Sequence, residues 1–413
     1  MNLKTLKDLD VDDKIILYRA PYDIELIDGK LEDTKRIDFT IPTLKYLIAK
    51  NCKIVILTYV GRPDGKVVED LKTTAHASYL SEKLNQKVIK LDDCVGEQVT
   101  TVVKSLKGGE VVMLENVRFH KEETADDDEF AKKLVVSMDA IVFDAFPQAH
   151  RKHASTTGIL RYLDAVAGLY FEKEYTQITK IIDEIERPFI VVIGGAKVSD
   201  KVLAIKKLAN IADVVLVGGG VANAFLYQQE FNIAQSYVEN TFVDGAQTGN
   251  QDIKQIVSDI LSDKKQIDLV IPNGIKGVEN SNIILPIDFM IDVNGKNKAI
   301  GIDELGKIDN FQIKDIGPQT ITMYKEILEK TKTIFWNGPM GVFEQDEYSL
   351  GSRAILSFMK KYDGLGLIVG GDSITLIDKF DDISNFNYIS LAGGATLDII
   401  SGKSLAVMPY LQK

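Results

Sequence analysis

The chain has 413 residues, more than one hydrophobic core accommodates, so two or three domains are expected. Its 49 Lys and Arg against 60 Asp and Glu give a formal net charge of -11, which argues against nucleic acid or an anionic membrane as partner; any anionic ligand must then be met by a local cluster of positive groups. Cys52 and Cys94 are too few for a disulfide framework, the N-terminus lacks the apolar core of a signal peptide, and no apolar run reaches the ~18 residues of a membrane span, so a cytoplasmic protein is expected.

Short apolar runs alternate with helical periodicity along the whole chain, the pattern of open α/β folds with parallel sheets. The front half predicts strands over Ile15–Tyr18, Lys53–Leu57, Glu110–Leu114 and Ala140–Phe143, with helices over Pro42–Lys50, Ser78–Asn85 and Asp126–Met138. Ligands of such sheets bind beyond the carboxyl ends of the strands, and the loops there are basic. Arg19 follows the first strand, Arg36 heads the next helix, and Arg62 follows the second strand through Gly61. Arg118 follows the third strand, and His150, Arg151 and His153 follow the fourth. Five arginines at one end of one sheet make a positive surface suited to bidentate grips on phosphate and carboxylate. The His-Arg-Lys-His run lacks a further spaced metal ligand, so anion contact or core packing suits these histidines better than metal ligation.

A helical run from Leu169 to Glu186 separates this half from a second set of strands over Phe189–Ile193, Val214–Val217, Leu269–Ile271, Thr333–Trp336 and Gly366–Val369, with a helix over Tyr324–Lys330. After the first of these comes Gly194-Gly-Ala-Lys-Val-Ser-Asp-Lys201, where glycines expose backbone N–H groups and Lys197 and Lys201 stand one helical turn apart. It is an anion site in character, yet not a Walker A loop. Gly218-Gly219-Gly220, Trp336–Glu344 and Gly370-Gly371-Asp372-Ser373 each follow a strand, and Ala392-Gly393-Gly394-Ala395 opens the last helix. Such glycine turns admit a base or phosphate against the backbone; Glu344 is placed to take ribose hydroxyls and Asp372 to hold Mg²⁺ on the phosphates.

Together these motifs resemble the phosphoglycerate kinase family nearly end to end. The likeness is carried by Leu17-Tyr-Arg19, Asp33–Ile37, Gly61-Arg-Pro63, Leu114–His120, Asp144-Ala-Phe146, Ala149–Ser155, Gly194–Lys201, Asp315-Ile-Gly-Pro318 and Trp336–Glu344. The resemblance implies two Rossmann-like parallel-sheet domains facing a cleft, one of residues 1–168 for the acid, with 392–413 packing back toward it, and one of 169–391 for the nucleotide. It also implies a monomeric, hinge-bending glycolytic kinase that uses Mg²⁺ and ATP or ADP to move a phosphoryl group between 1,3-bisphosphoglycerate and ADP. By position, the acid-binding residues are Arg19, Asp23, Arg36, Tyr59, Gly61, Arg62, Arg118, His150, Arg151 and His153. The nucleotide-binding residues are Lys197, Lys201, Gly218, Gly219, Ile313, Asn337, Glu344, Gly370, Gly371, Asp372 and Ser373, with Asp372 toward the metal. Arg36, Lys197, Gly393 and Gly394 fall to the transferring group.

Departures from the family pattern lie on the chemistry. Pro21 and Asp23 stand where the family reads the glycerate hydroxyl with Asp and Asn, Tyr59 replaces a histidine, and Pro147 and Gln148 replace Gly and Thr. Val369, Leu391, Ala392 and Ile313 replace residues of the nucleotide loops, three of them glycines. Retained arginines beside a lost hydroxyl reader point to altered specificity more than lost binding, which leaves open an acyl-phosphate kinase for another phosphorylated acid. Added side chains near phosphate leave open a catalytically weak binding homologue. An NAD-dependent dehydrogenase ranks low, because neither half shows Gly-x-Gly-x-x-Gly after its first strand.

Overall fold

The computed structural model describes residues 3–31, 33–196, 201–238, 241–243, 250–261 and 281–413. Contacts group the chain into two compact units, Met1–Gln177 with Ser404–Lys413, and Ile178–Lys403.

The first unit is built on a six-stranded, wholly parallel sheet. From one edge to the other it runs Val88–Lys90, Val111–Met113, Lys53–Leu57, Ile15–Arg19, Ala140–Phe143 and Ala165–Ala167. Its central strands are buried on both faces, as a sheet between helical layers requires, which explains why they read as continuous apolar runs rather than alternating ones. The chain's last residues close on this unit, where Lys4 N donates to Leu411 O at 2.7 Å and Leu3 bridges Gln412.

The second unit repeats the architecture with the order Ile283–Ile284, Val214–Val217, Phe189–Ile193, Thr333–Asn337, Leu365–Val369 and Ile389–Ser390, again all parallel. Beside it lies a three-stranded antiparallel sheet of Lys296–Gly301, Asp288–Val293 and Gln312–Ile316.

Both units therefore carry the expected parallel α/β fold, with local differences. The unit boundary falls inside the helix Leu169–Asp183 rather than before it. Its first turns are tied to the front sheet: Phe171 packs edge-on against Phe143 and Phe146, and Phe171 N donates to Asp144 Oδ1 at 2.7 Å. Residues 392–403 stay with the second unit, since strand Ile389–Ser390 pairs with Leu365–Val369 and Ser390 Oγ bonds Thr396 Oγ1 at 3.0 Å; only Ser404–Lys413 returns. The helix expected over Asp126–Met138 spans only Asp128–Leu134; Asp127 sets its start by accepting from Phe130 N. Edge strands of two or three residues are too short to leave a periodic signal. The expected strand Leu269–Ile271 lies outside the described residues.

Candidate active site

At the carboxyl ends of the front sheet, Tyr59 organises the cationic residues. Its ring is 1 % exposed, and three guanidiniums gather on it: the carbon of Arg118 lies 3.6 Å from the ring centroid, that of Arg19 5.4 Å and that of Arg151 5.8 Å. Like charges gather at such spacing only where something offsets their repulsion, and the negative face of an aromatic ring is one such agent. Backbone carbonyls supply the rest. Arg118 Nη1 donates to Gly61 O at 2.7 Å, Arg19 Nε to Ser155 O at 2.9 Å and Arg36 Nη1 to Asp23 O at 2.6 Å. Asp23 in turn accepts from Gly61 N at 2.9 Å, so its carboxylate holds the loop that carries Arg62. Gly61 has φ +62°, a conformation that disfavours any side chain.

One buried carboxylate, Glu123, faces this group. It accepts from Ser155 N and Oγ at 2.8 and 2.6 Å and lies 3.7 Å from His153 Nδ1. Burial raises the pKa of Glu123 against the opposing pull of Arg19. Burial, then the charges of Arg118, Arg151 and Arg19, push His153 down to about 4, so it stands neutral at pH 7. The balance of the cluster is positive. Arg19 Nη2 and Arg118 Nε are buried with no hydrogen-bond partner, which is costly for a charged donor unless a ligand supplies the acceptor. Arg62 is exposed, while Arg36, His150 and Arg151 are partly so.

The second unit presents two adjoining cavities after its strands. The larger, about 370 Å³, is walled by Gly195, Gly219, Gly220, Ile313, Phe289, Val342, Phe343 and Glu344. The smaller, about 310 Å³, is walled by Lys201, Asn337, Gly338, Gly370, Gly371, Asp372, Gly393 and Gly394. Asp372 borders both. Lys201 and Asp372 converge, since a Cβ placed on Gly195 would stand 3.4 Å from Lys201 Nζ and 3.9 Å from Asp372 Oδ2. Two helix N-termini open into the smaller cavity, those of Gly371–Phe380 and Gly393–Ile400, and such termini favour anions. Gly370 has φ +99° and leaves Asn337 Nδ2 2.7 Å from where a Cβ would sit. Ser373 is fully buried, its Oγ accepting from Gly338 N and donating to Val369 O.

Comparison of the sequence with known proteins gives its family. The family model described as phosphoglycerate kinase matches residues 6–403. The chain belongs to the phosphoglycerate kinase family. A phosphoglycerate kinase of Dictyoglomus turgidum is 38% identical over 410 residues, covering 98% of each chain, and that of Moorella thermoacetica is 36% identical over 401, covering 97% of each. Among solved structures, phosphoglycerate kinase from Pyrococcus horikoshii superposes with a TM-score of 0.81 at 31% identity, and that from Coxiella burnetii with 0.80 at 30%; each covers 99% of this chain and 98% of the other.

For this phosphoglycerate kinase family member, seven of the ten sequence-predicted acid residues are joined in one network: Arg36 to Asp23, Asp23 to Gly61, Gly61 to Arg118, and Arg118 to Tyr59 with Arg19 and Arg151. The predicted nucleotide residues Lys201, Gly219, Ile313, Asn337, Glu344, Gly370, Gly371, Asp372 and Ser373 border the two cavities. Gly218 lies behind them against Met340, and Lys197 lies outside the described residues. Sequence reasoning missed Glu123, which sits in a polar stretch with no distinguishing pattern, and gave no role to Ser155, although it closes the Ala149–Ser155 motif. It also missed Asp315 as a wall of the larger cavity; this carboxyl accepts from Ile316 N and Gly351 N, and burial pushes it up to about 7.

None of the three replaced glycines stands at a positive φ. Val369 ends a buried strand, and Ala392 takes φ −108°, open to any L-residue, with its side chain 1 % exposed. No helix among the described residues is long and apolar enough to cross a membrane.

Proposed function

We propose that this chain catalyses reversible phosphoryl transfer between 1,3-bisphosphoglycerate and ADP, giving 3-phosphoglycerate and ATP, with the first unit holding the acid and the second the nucleotide. The observation that carries this reading is the buried pair of partnerless donors, Arg19 Nη2 and Arg118 Nε, within three guanidiniums stacked on one ring. Donors so placed need an oxyanion rich in acceptors, such as a phosphate or carboxylate.

Arg118, Arg19 and Arg151 grip the acid and Arg62 adds charge from the rim. The family resemblance assigns Arg36, Lys197 and the helix terminus at Gly393 and Gly394 to the transferring group. The larger, mostly apolar cavity takes the base, Glu344 the ribose, and Lys201 the nucleotide phosphates. No general base is required, since the acceptor oxygen already belongs to a carboxylate or a phosphate; positioning and charge neutralisation supply the catalysis. Asp372 is an exposed carboxylate beside Lys201 at a helix N-terminus, a hard oxygen donor that suits Mg²⁺ shared with nucleotide phosphates and water. Bound there, the ion would neutralise phosphate charge. The composition of the chain supports a cytoplasmic enzyme, and a monomer is the simplest assembly for a site supplied by one chain.

A coupled assay with 3-phosphoglycerate and MgATP tests the proposal; absence of turnover with normal nucleotide binding refutes it. Tyr59 and Pro21 are both buried, so the hydroxyl-reading side of the pocket differs while its charges persist. This favours a second reading, an acyl-phosphate kinase for another phosphorylated acid, identified by greater ATP consumption with that acid than with 3-phosphoglycerate.

A further inference from the structure

Asp93, Cys94 and His120 each offer one ligand atom, and these atoms all lie within 4.8 Å of one another. They come from loops after two neighbouring parallel strands, Val88–Lys90 and Val111–Met113, so the sheet fixes their separation. Leu91 N donates to Met113 O at 2.9 Å and Glu115 N to Asp93 O at 3.3 Å, lacing the loops together beneath the cluster. Each ligand is also held individually. Asp93 Oδ1 accepts from Cys94 N at 2.6 Å and meets His120 Nε2 at 2.8 Å, while the His120 ring packs on Phe130 with centroids 5.0 Å apart.

We propose that these three side chains form a zinc site with the fourth position open to solvent. A sulfur, an imidazole nitrogen and one carboxylate oxygen match the borderline softness of Zn²⁺ and are a poor set for Mg²⁺ or Ca²⁺, which take oxygen. The exposures suit it: Cys94 is buried, His120 half-buried and Asp93 exposed, so two ligands are fixed by packing and one side remains for entry. The thiol of Cys94 has Asp93, a member of the same cluster, as its hydrogen-bond partner, whereas Cys52 Sγ donates to Val11 O at 3.1 Å. Binding replaces the thiol proton, which passes to solvent, with a metal–sulfur bond. The site lies two residues from Arg118, on the same turn, yet shares no ligand with the arginine cluster.

Zinc titration of the reduced full-length protein against a competing chromophoric chelator, with Co²⁺ as spectroscopic probe, tests this. One equivalent of zinc and a cobalt spectrum with a thiolate charge-transfer band and intense tetrahedral ligand-field bands are expected. Cys94→Ser should abolish the charge-transfer band, and His120→Gln and Asp93→Asn should each weaken zinc binding about tenfold or more. Asp93 is exposed, so its variant stays informative should a change at buried Cys94 impair folding. No stoichiometric binding, weak octahedral cobalt bands, or affinities unchanged by all three substitutions would overturn the proposal and leave the cluster as an Asp93–His120 hydrogen bond that joins two loops.

Discussion

The two candidate ligand sites stand at the carboxyl ends of similar parallel sheets but are made from different materials. In the first unit, recognition rests on side chains: buried guanidiniums aimed by an aromatic ring and by backbone carbonyls. In the second it rests on backbone, on glycine turns and helix N-termini around Lys201 and Asp372. A site made of side chains changes character with one substitution, as Tyr59 and Pro21 illustrate. One made of backbone absorbs substitutions wherever φ is negative, as at Ala392, and resists them where φ is positive, as at Gly370.

The contrast breaks most sharply under truncation. Arg118→Ala removes a buried charge from the ring and leaves Gly61 O without its donor, so kcat/KM for the acid should fall by about a hundredfold or more, while Lys201→Met should weaken nucleotide affinity and spare the acid. Steady-state kinetics with each substrate varied separates these effects; an Arg118 variant that raised only the nucleotide KM would overturn the assignment of the two units.

Acidity gives the next largest contrast. The Asp315 carboxyl has its folded pKa raised to about 7 from an ordinary 3.8, so its contribution to stability is complete below the unfolded value and is lost as pH rises through 7. Lowering pH from 7 to 5 should therefore stabilise the second unit by about 2 kcal/mol through this group. The only tryptophan, Trp336, is in that unit, so its fluorescence in denaturant reports the change, which Asp315→Asn should flatten. In the first unit His153 and His76, both held near 4 chiefly by burial, act the other way: their contribution is present above 6.5 and lost as pH falls toward 4. Asp144, pushed up to about 6 by burial, opposes them in part.

Smaller effects sharpen the picture. Tyr59→Phe keeps the ring face and should leave the acid KM within about twofold, whereas Tyr59→Ala removes a cation–π platform of about 1–2 kcal/mol and should raise it roughly tenfold. A large loss in the Phe variant would instead give the hydroxyl a direct part in binding. Ala392→Gly should change kcat by less than about twofold, because the alanine's φ of −108° does not call for glycine; a marked gain would mean that the methyl does obstruct phosphate.

The strands of both sheets and the arginines were legible because parallel strands buried on two faces leave unbroken apolar runs, and loops after such strands share one side. Val88–Lys90 and Ala165–Ala167 were not legible, since three residues carry no period. The role of Tyr59 was not legible either: a lone aromatic after a strand gives no sign that guanidiniums from three other segments will converge on it. Asp315 stood in a recognised motif, yet its burial is set by Gly341 and Gly351 across the fold, where a Cβ on either would come within 2.4 Å of its Oδ1.

Because Arg19 and Arg118 keep donors waiting in a dry interior, the first unit is least stable when it is vacant. Acid substrate at about a hundred times its Kd adds some 2.7 kcal/mol by mass action. Amide exchange in Ile15–Arg19 and Ala140–Phe143 should slow accordingly, making the metabolite a folding partner as well as a reactant.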